Sequence, residues 1–320
     1  MSHVSETGRK ALEFITFGDV FIDLVMSGFA RWPAPGEEVD AQSLTREIGG
    51  GAAITACGLA RLGRSVALLA ATGSDGSWFR DRLGATGVSL ELLQESADEP
   101  TAITVAISTA DDRSFFTYRG SNCLLESMIT DPSLIGSLAS ASHVHLANAV
   151  TPDRLIELAR QLRPTGTTLS VDVGWVEDWL RDPLSLVALR EIDLFLPNER
   201  EGAAMTGESD PRRMLEFFSQ AGLKRVALKL GAAGSMMIEN GVIVKSPGLA
   251  VQVVDTTGAG DCFDAGFLAA WKAGLPALTC LETANICGAR STTAPGGLKG
   301  FPRLSDLNHL LPALRLNQGR

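Results

Sequence analysis

The sequence predicts an α/β fold: a mostly parallel central sheet with helices on both faces, and a small antiparallel sheet beside it. Short apolar, β-branched segments alternate with longer amphipathic ones along most of the chain, and such alternation builds parallel sheets whose crossovers cover both faces. Two segments, 38–47 and 101–118, interrupt it with period-two or β-branched stretches around turn residues such as Asp111-Asp112, the pattern of antiparallel pairs. Of the 320 residues 45% are apolar and 20% charged, enough to bury a large core.

In chain order, strands are expected over 14–17, 65–71, 143–146, 168–173, 194–196, 225–230 and 235–238, each an apolar run of strand length. Helices are expected over 52–62, 153–162, 212–221, 263–273, 278–291 and 304–314, where apolar residues recur at helical spacing. Residues 1–10 lack the apolar stretch of a signal peptide and are expected to form a loose tail, leaving 11–320 as a single domain. The apolar runs at 66–71 and 146–150 are strand-sized, so no membrane span is expected. A net charge of -9 without a clustered basic surface argues against nucleic acid as a partner. Cys57, Cys123, Cys262, Cys280 and Cys287 are odd in number and widely spaced, which suggests neither disulfides nor zinc and points to the cytoplasm.

The segment richest in chemistry is Asp255-Thr-Thr-Gly-Ala-Gly-Asp-Cys-Phe-Asp-Ala-Gly-Phe267. Its Gly258-Ala259-Gly260 turn lets backbone amides converge, and the dipole of the following helix favours an anion there. Asp261 would stand beside bound phosphate, which repels it; a carboxylate in that place suits a base that takes a proton from an attacking hydroxyl. The plainer reading is a strand-to-helix turn that Asp261 caps. No Gly-x-Gly-x-x-Gly follows an early strand and no Gly-x-x-x-x-Gly-Lys-Ser/Thr occurs, which disfavours a Rossmann dehydrogenase and a Walker-type kinase.

The whole segment resembles the C-terminal signature of ribokinase-like, phosphofructokinase-B type carbohydrate kinases. Four further segments resemble elements of that family in the same order. Gly18-Asp-Val-Phe-Ile-Asp23 is similar to the end of its first core strand, and Gly49-Gly-Gly-Ala-Ala-Ile-Thr-Ala-Cys-Gly-Leu-Ala-Arg-Leu-Gly63 to its N-terminal signature. Pro197-Asn-Glu-Arg-Glu201 is similar to its Asn-x-x-Glu element, and Lys229-Leu-Gly-Ala-Ala-Gly234 to the strand end and turn that hold nucleotide.

The resemblance implies a ribokinase-like three-layer sandwich whose antiparallel lid, about 31–48 and 101–120, closes over the sugar and excludes water. A lid sheet with an apolar face also implies a homodimer. ATP would lie across the C-terminal strand ends, held by Asn198, Lys229, Gly231, Gly234 and Asn285. The acceptor would be bound by Asp23, Gly49, Gly50, Ile54, Arg119 and Asn148, facing Asp261 and the Gly258-Ala259-Gly260 anion hole. Magnesium would be ordered through water by Glu201. A monovalent cation, K+ in potassium-activated members, would take oxygens from Asp255, Thr257 and the loop 291–300, with Ser291, Gly296 and Gly300 among them; Lys299 is the alternative to that ion.

Several of these residues have plain structural alternatives: Asp23 as a turn cap, Glu201 as a first-turn helix residue, Lys229 as a strand-edge residue, Asn285 as a buried amide, Arg119 as a solvated side chain. Ile54 and Phe21 stand where many sugar kinases carry asparagines, and Asp172-Val-Gly-Trp175 lacks the Asn and Arg of fructokinase-like and ketodeoxygluconate-kinase-like members. That weighs against those two substrate classes, while an apolar lining suits a nucleoside. The expectation is an ATP-dependent kinase for a hydroxyl of a small sugar-like substrate. Its alternatives are a nucleoside kinase on the same scaffold and a non-catalytic sugar- or nucleotide-sensing relative.

Overall fold

A computed structural model describes residues 12–108 and 113–310. The expected tail 1–10, the Asp111-Asp112 turn and the end of the last expected helix lie outside the described residues. In chain order the elements are β1 (Leu12–Gly18), β2 (Phe21–Ser27), β3 (Ser43–Gly49), α1 (Gly51–Arg61), β4 (Val66–Gly73), α2 (Ser77–Gly84), β5 (Leu93–Ser96), β6 (Ile103–Ser108), β7 (Arg113–Tyr118), α3 (Leu125–Ile129), α4 (Pro132–Ser140), β8 (Ala141–Ala147), α5 (Pro152–Leu162), β9 (Thr168–Val171), α6 (Glu177–Arg181), α7 (Pro183–Leu189), β10 (Leu194–Phe195), α8 (Glu199–Thr206), α9 (Pro211–Gln220), β11 (Arg225–Lys229), β12 (Ser235–Glu239), β13 (Val242–Ser246), α10 (Ala259–Lys272), α11 (Ala277–Ser291) and α12 (Leu304–Leu310).

Among the described residues, one sheet runs β13-β12-β11-β10-β9-β8-β1-β4-β5 and a second runs β3-β2-β6-β7. The large sheet is parallel from β11 to β5, and β12 and β13 extend one edge antiparallel. Side-chain alternation along its strands produces two apolar layers. Phe14, Val66, Leu68 and Ala70 join the core formed with α1, α10 and α11, whereas Ile15, Phe17, Ala67, Leu69 and Ala71 join that formed with α5 and α9. This is why the central strands carry apolar residues on both faces. Each fully buried Leu or Phe contributes about 1.5–3 kcal/mol.

The strand expected over 14–17 is β1, but the segment 18–23, likened to the end of a first core strand, does not continue it. β1 ends at Gly18, whose φ of 146° turns the chain; a Cβ there would lie 2.6 Å from the Ala147 carbonyl oxygen. Two residues later β2 begins in the other sheet, pairing antiparallel with β3 and parallel with β6, so Asp23 belongs to the small sheet. The strands of that sheet at 43–49, 103–108 and 113–118 fall in the segments that break the alternation, and β2 is the addition. The short edge strand β5 and the hairpin partner β13 were likewise not singled out, each being too brief or too polar for a pattern.

Candidate active site

Beyond its first turn α10 is apolar apart from Asp264 and Lys272, and that first turn forms the floor of the site. Gly258 caps it at φ 69°, a left-handed conformation in which a Cβ would also strike the Ile54 Cδ1 at 2.7 Å. The first amides of a helix lack partners one turn back. Here the Ala259 N–H turns to the Thr256 carbonyl at 3.3 Å, and the Cys262 N–H is the first to reach back regularly, to Gly258 at 2.9 Å. The amides of Gly260 and Asp261 lie between them, at the positive end of the helix dipole.

The loop 291–300 backs this turn. The Asp255 carboxylate accepts from the Thr257 N–H and the Gly296 N–H, both at 2.9 Å, and the Cys262 thiol donates to the Gly297 carbonyl at 3.0 Å. Ser291 is buried and donates to the Gly288 carbonyl at 2.8 Å; a Cβ on Gly300 would lie 2.9 Å from the Ser291 carbonyl oxygen. Asp255, Thr257, Ser291, Gly296 and Gly300 are thus parts of one packed layer behind the helix start. Lys299, weighed as a stand-in for a cation, instead pairs with Glu47 of β3.

Two carboxylates flank the glycine turn at 49–51. A Cβ on Gly49 would lie within 2.2–2.3 Å of the Asp23 carboxyl group, and one on Gly51 would lie 2.8 Å from the Asp261 Oδ1. Between them Gly50 adopts φ 92° and passes so close to the Asp19 carbonyl that a side chain has no room. The sequence therefore needs three glycines here so that Asp23 from the small sheet and Asp261 from α10 can approach from either side. Burial pushes Asp261 up to about 6, with Asp172 adding to the rise and Lys229 opposing it. Burial, then the charges of Asp255, Asp261 and Glu47, push Asp23 up to about 7.

Beneath the turn lies a buried ionic cluster. The Lys229 ammonium, at the end of β11, donates to Asp172 after β9 at 2.6 Å and to the two oxygens of Asp264 on α10 at 3.1 and 3.3 Å. Asp172, Asp261 and Asp264 hold oxygens within 4.8 Å of one another, a spacing that metal ions favour. The ammonium already takes two of the three, so this is not an open metal site. Lys229 was expected to face nucleotide; its side chain is turned inward, 10% exposed.

The remaining expected residues spread around this centre. Asn198 caps α8 and forms a reciprocal capping box with Glu201, whose two carboxylate oxygens accept from the Asn198 backbone and side-chain amides. Burial, with the Asp172 charge behind it, pushes Glu201 up to about 7. Gly231 and Gly234 form the left-handed turn after β11, and a Cβ on Gly231 would meet nothing within 4 Å. The Asn285 amide is committed to Ser246 and Pro247, tying α11 to the end of β13. Ile54 is 2% exposed and packs under Gly258, so its place is the core, not the surface of an acceptor pocket. Arg119 pairs with Asp19 at 2.8 Å, and both Arg119 and Asn148 line a cavity of about 320 Å³ beside the ends of β1 and β8.

Sequence reasoning missed Asp172 and Asp264 as site residues. Asp264 follows Asp261 by three positions, which on a helix puts both on one face, and that signal was legible. Their convergence on Lys229 joins positions 57 and 35 residues apart and leaves no local pattern.

The chain matches the pfkB family carbohydrate kinase over residues 12–303. It is 31% identical over 268 residues to the ATP-dependent ribose-1-phosphate kinase of Halopiger xanaduensis, covering 83% of this chain and 87% of that protein. With the 2-dehydro-3-deoxygluconokinase of Bacillus subtilis the identity is 27% over 291 residues, 86% of this chain and 90% of the relative. Among solved structures, the ribokinase of Arabidopsis thaliana complexed with ribose and ATP superposes with a TM-score of 0.84 at 26% identity, covering 94% of this chain and 99% of that one. A family match over residues 12–303 and a superposition across nearly the whole fold leave one assignment: the chain belongs to the pfkB family of carbohydrate kinases.

Proposed function

We propose that the protein transfers the γ-phosphate of ATP to a hydroxyl of a small sugar-like molecule, with Asp261 as the general base. The observation that carries this reading is the approach of Asp23 and Asp261 to opposite sides of the 49–51 turn, at the amide-rich start of α10. A hydroxyl held by Asp23, Gly49 and Gly50 would face Asp261, and the amides around Gly258, Ala259 and Gly260 would hold the charge on the transferring group. Asp261 titrates near 6, so at neutral pH it is mostly ionised yet basic enough to take a proton. The four-stranded sheet carrying Asp23 serves as the lid.

ATP would enter along the β11–β12 turn, past Gly231 and Gly234, with Asn198 nearby; that ATP is the donor is supported by the Arabidopsis thaliana ribokinase complexed with ribose and ATP. Both oxygens of Glu201 are engaged by Asn198, which suits an outer-sphere role: it would hold magnesium through water, and magnesium supplies charge neutralisation on the β and γ oxygens. Asp255, Thr257 and the carbonyls of the loop 291–300 would hold a monovalent cation such as K+ behind the anion hole.

The relatives named above act on unlike acceptors, so the acceptor is left to this chain's own residues. Phe21 pairs with Gly49 at the edge of the turn, and Phe115 shares the Asp23 face of the small sheet by register. These apolar neighbours keep a nucleoside beside a free sugar as the acceptor. Phosphorylation from ATP should be measured against ribose, other sugars, sugar acids, sugar phosphates, adenosine, inosine and cytidine. Turnover on one group identifies it. Absence of turnover on all, with ligand-dependent thermal stabilisation retained, would replace the kinase with a sensing role.

A further inference from the structure

Lys229 is surrounded in a way that a nucleotide contact would not require. Its side chain is 10% exposed and that of Asp264 is fully buried, and burying ions is costly unless each has a partner. Here one ammonium joins three elements: its own strand β11, the end of β9 through Asp172, and α10 through Asp264. A Cβ on Gly260 would lie only 3.6 Å from the Lys229 Nζ, so the ammonium also sits directly under the first turn of α10. Gly260 and Asp264 lie on either side of Asp261 in sequence, and the residue between two such anchor points has little freedom to shift.

The charges around Asp261 come from every side. Asp172, Lys229 and Asp264 face it from beneath, and Asp23 faces it from the small sheet with Asp255 and Glu47 beyond. Glu201 adjoins Lys229 from α8, and His145 of β8, kept in its neutral form by burial, adjoins Asp172. With one cation for two carboxylates, burial pushes Asp264 well above the usual carboxylate range, while at Asp172 the Lys229 charge outweighs burial and holds the carboxyl below it.

We infer that Lys229 is a positioning residue, not a nucleotide ligand: its ammonium clamps the first turn of α10 to the ends of β9 and β11 and, paired with Asp172, fixes the charge that Asp261 faces. This rests on the kinase reading for its consequence in catalysis, while the clamp and the charge coupling can be measured without turnover. A slack first turn would misplace both the base and the amides, and displacement on that scale costs about 10²-fold in rate.

The test is Lys229→Met, with the double variant Lys229→Met/Asp172→Asn removing both charges in case the single variant fails to fold. ATP affinity by calorimetry should stay within about threefold of the parent, and kcat should fall about 10²-fold. Weakened ATP binding with kcat retained would overturn the inference and restore Lys229 to the nucleotide. Separately, the Asp261 carboxyl is followed by 13C NMR in the substrate-free protein and assigned by its loss in Asp261→Asn. In Asp172→Asn it should titrate about one pH unit lower, since a like charge is removed and the ammonium remains. An unmoved titration overturns the coupling. If no acceptor is phosphorylated, the kinase reading falls, and the titration still decides the coupling.

Discussion

Asp261 and Asp23 reach the same glycine turn from supports of opposite construction. Asp261 stands on α10, which is packed against α1 and α11, backed by the loop 291–300 and anchored from below by Lys229. Asp23 stands on β2, in a four-stranded sheet whose β7 edge leaves Phe115, Phe116 and Tyr118 more than half exposed. One carboxylate is held by a core and the other by a sheet that projects from it. On the proposed mechanism the difference separates what must not move, Asp261 and the amides beside it, from what must open to admit an acceptor.

The sharpest way to break this division is Asp261→Asn, which keeps shape and removes the base. Turnover should fall by about 10³-fold or more while ATP affinity, measured by calorimetry, is largely kept. Near-normal turnover would end the base assignment. Asp23→Ala should act on the other side of the division, raising the acceptor KM about 10- to 100-fold with a smaller effect on kcat. A change confined to folding stability would remove Asp23 from acceptor binding.

A pH series sharpens the contrast further. A protonated base cannot accept a proton, so kcat should decline as pH falls through about 6, the value to which burial lifts Asp261. Asp23 is lifted to about 7, so the acceptor KM should begin to rise first, as pH drops below neutrality. Coincident limbs would show that one group governs both steps. The smallest effect is expected at the exposed aromatic edge. Trp32 stacks on Phe116 at 6.3 Å, and if this edge joins two copies of the chain, Phe116→Ser should shift the sedimentation coefficient toward a monomer with a modest loss of activity. An unchanged monomeric coefficient in the parent would exclude the dimer.

Much of the rigid half was legible in the sequence, because its pieces are local. The Gly-Ala-Gly-Asp turn, the glycine run at 49–51 and the apolar strands each announce their conformation within a few residues. The projecting half was less so. Nothing in the pattern around Gly18 marks the passage from one sheet to another, and β2, mostly half-buried, is not among the strands that the pattern predicts. Ile54 is placed with the acceptor by the resemblance alone, since it stands where many sugar kinases carry an asparagine; packing against Gly258 and Gly297 puts it beneath the floor. Lys229 and its two carboxylates were legible singly and not as a cluster, since their meeting depends on strand order.

The two-residue link Asp19-Val20 and the lone Gly50 tether the small sheet to β1 and α1 with almost no slack. If the sheet swings, its pivot lies beside the Asp23 and Asp261 carboxylates, while the far rim, around residues 28–42, sweeps the widest arc. Additions to that rim would alter what the enclosure can admit and leave the pivot undisturbed, so new acceptors are most readily accommodated by remodelling the outer segment while the hinge keeps its short span.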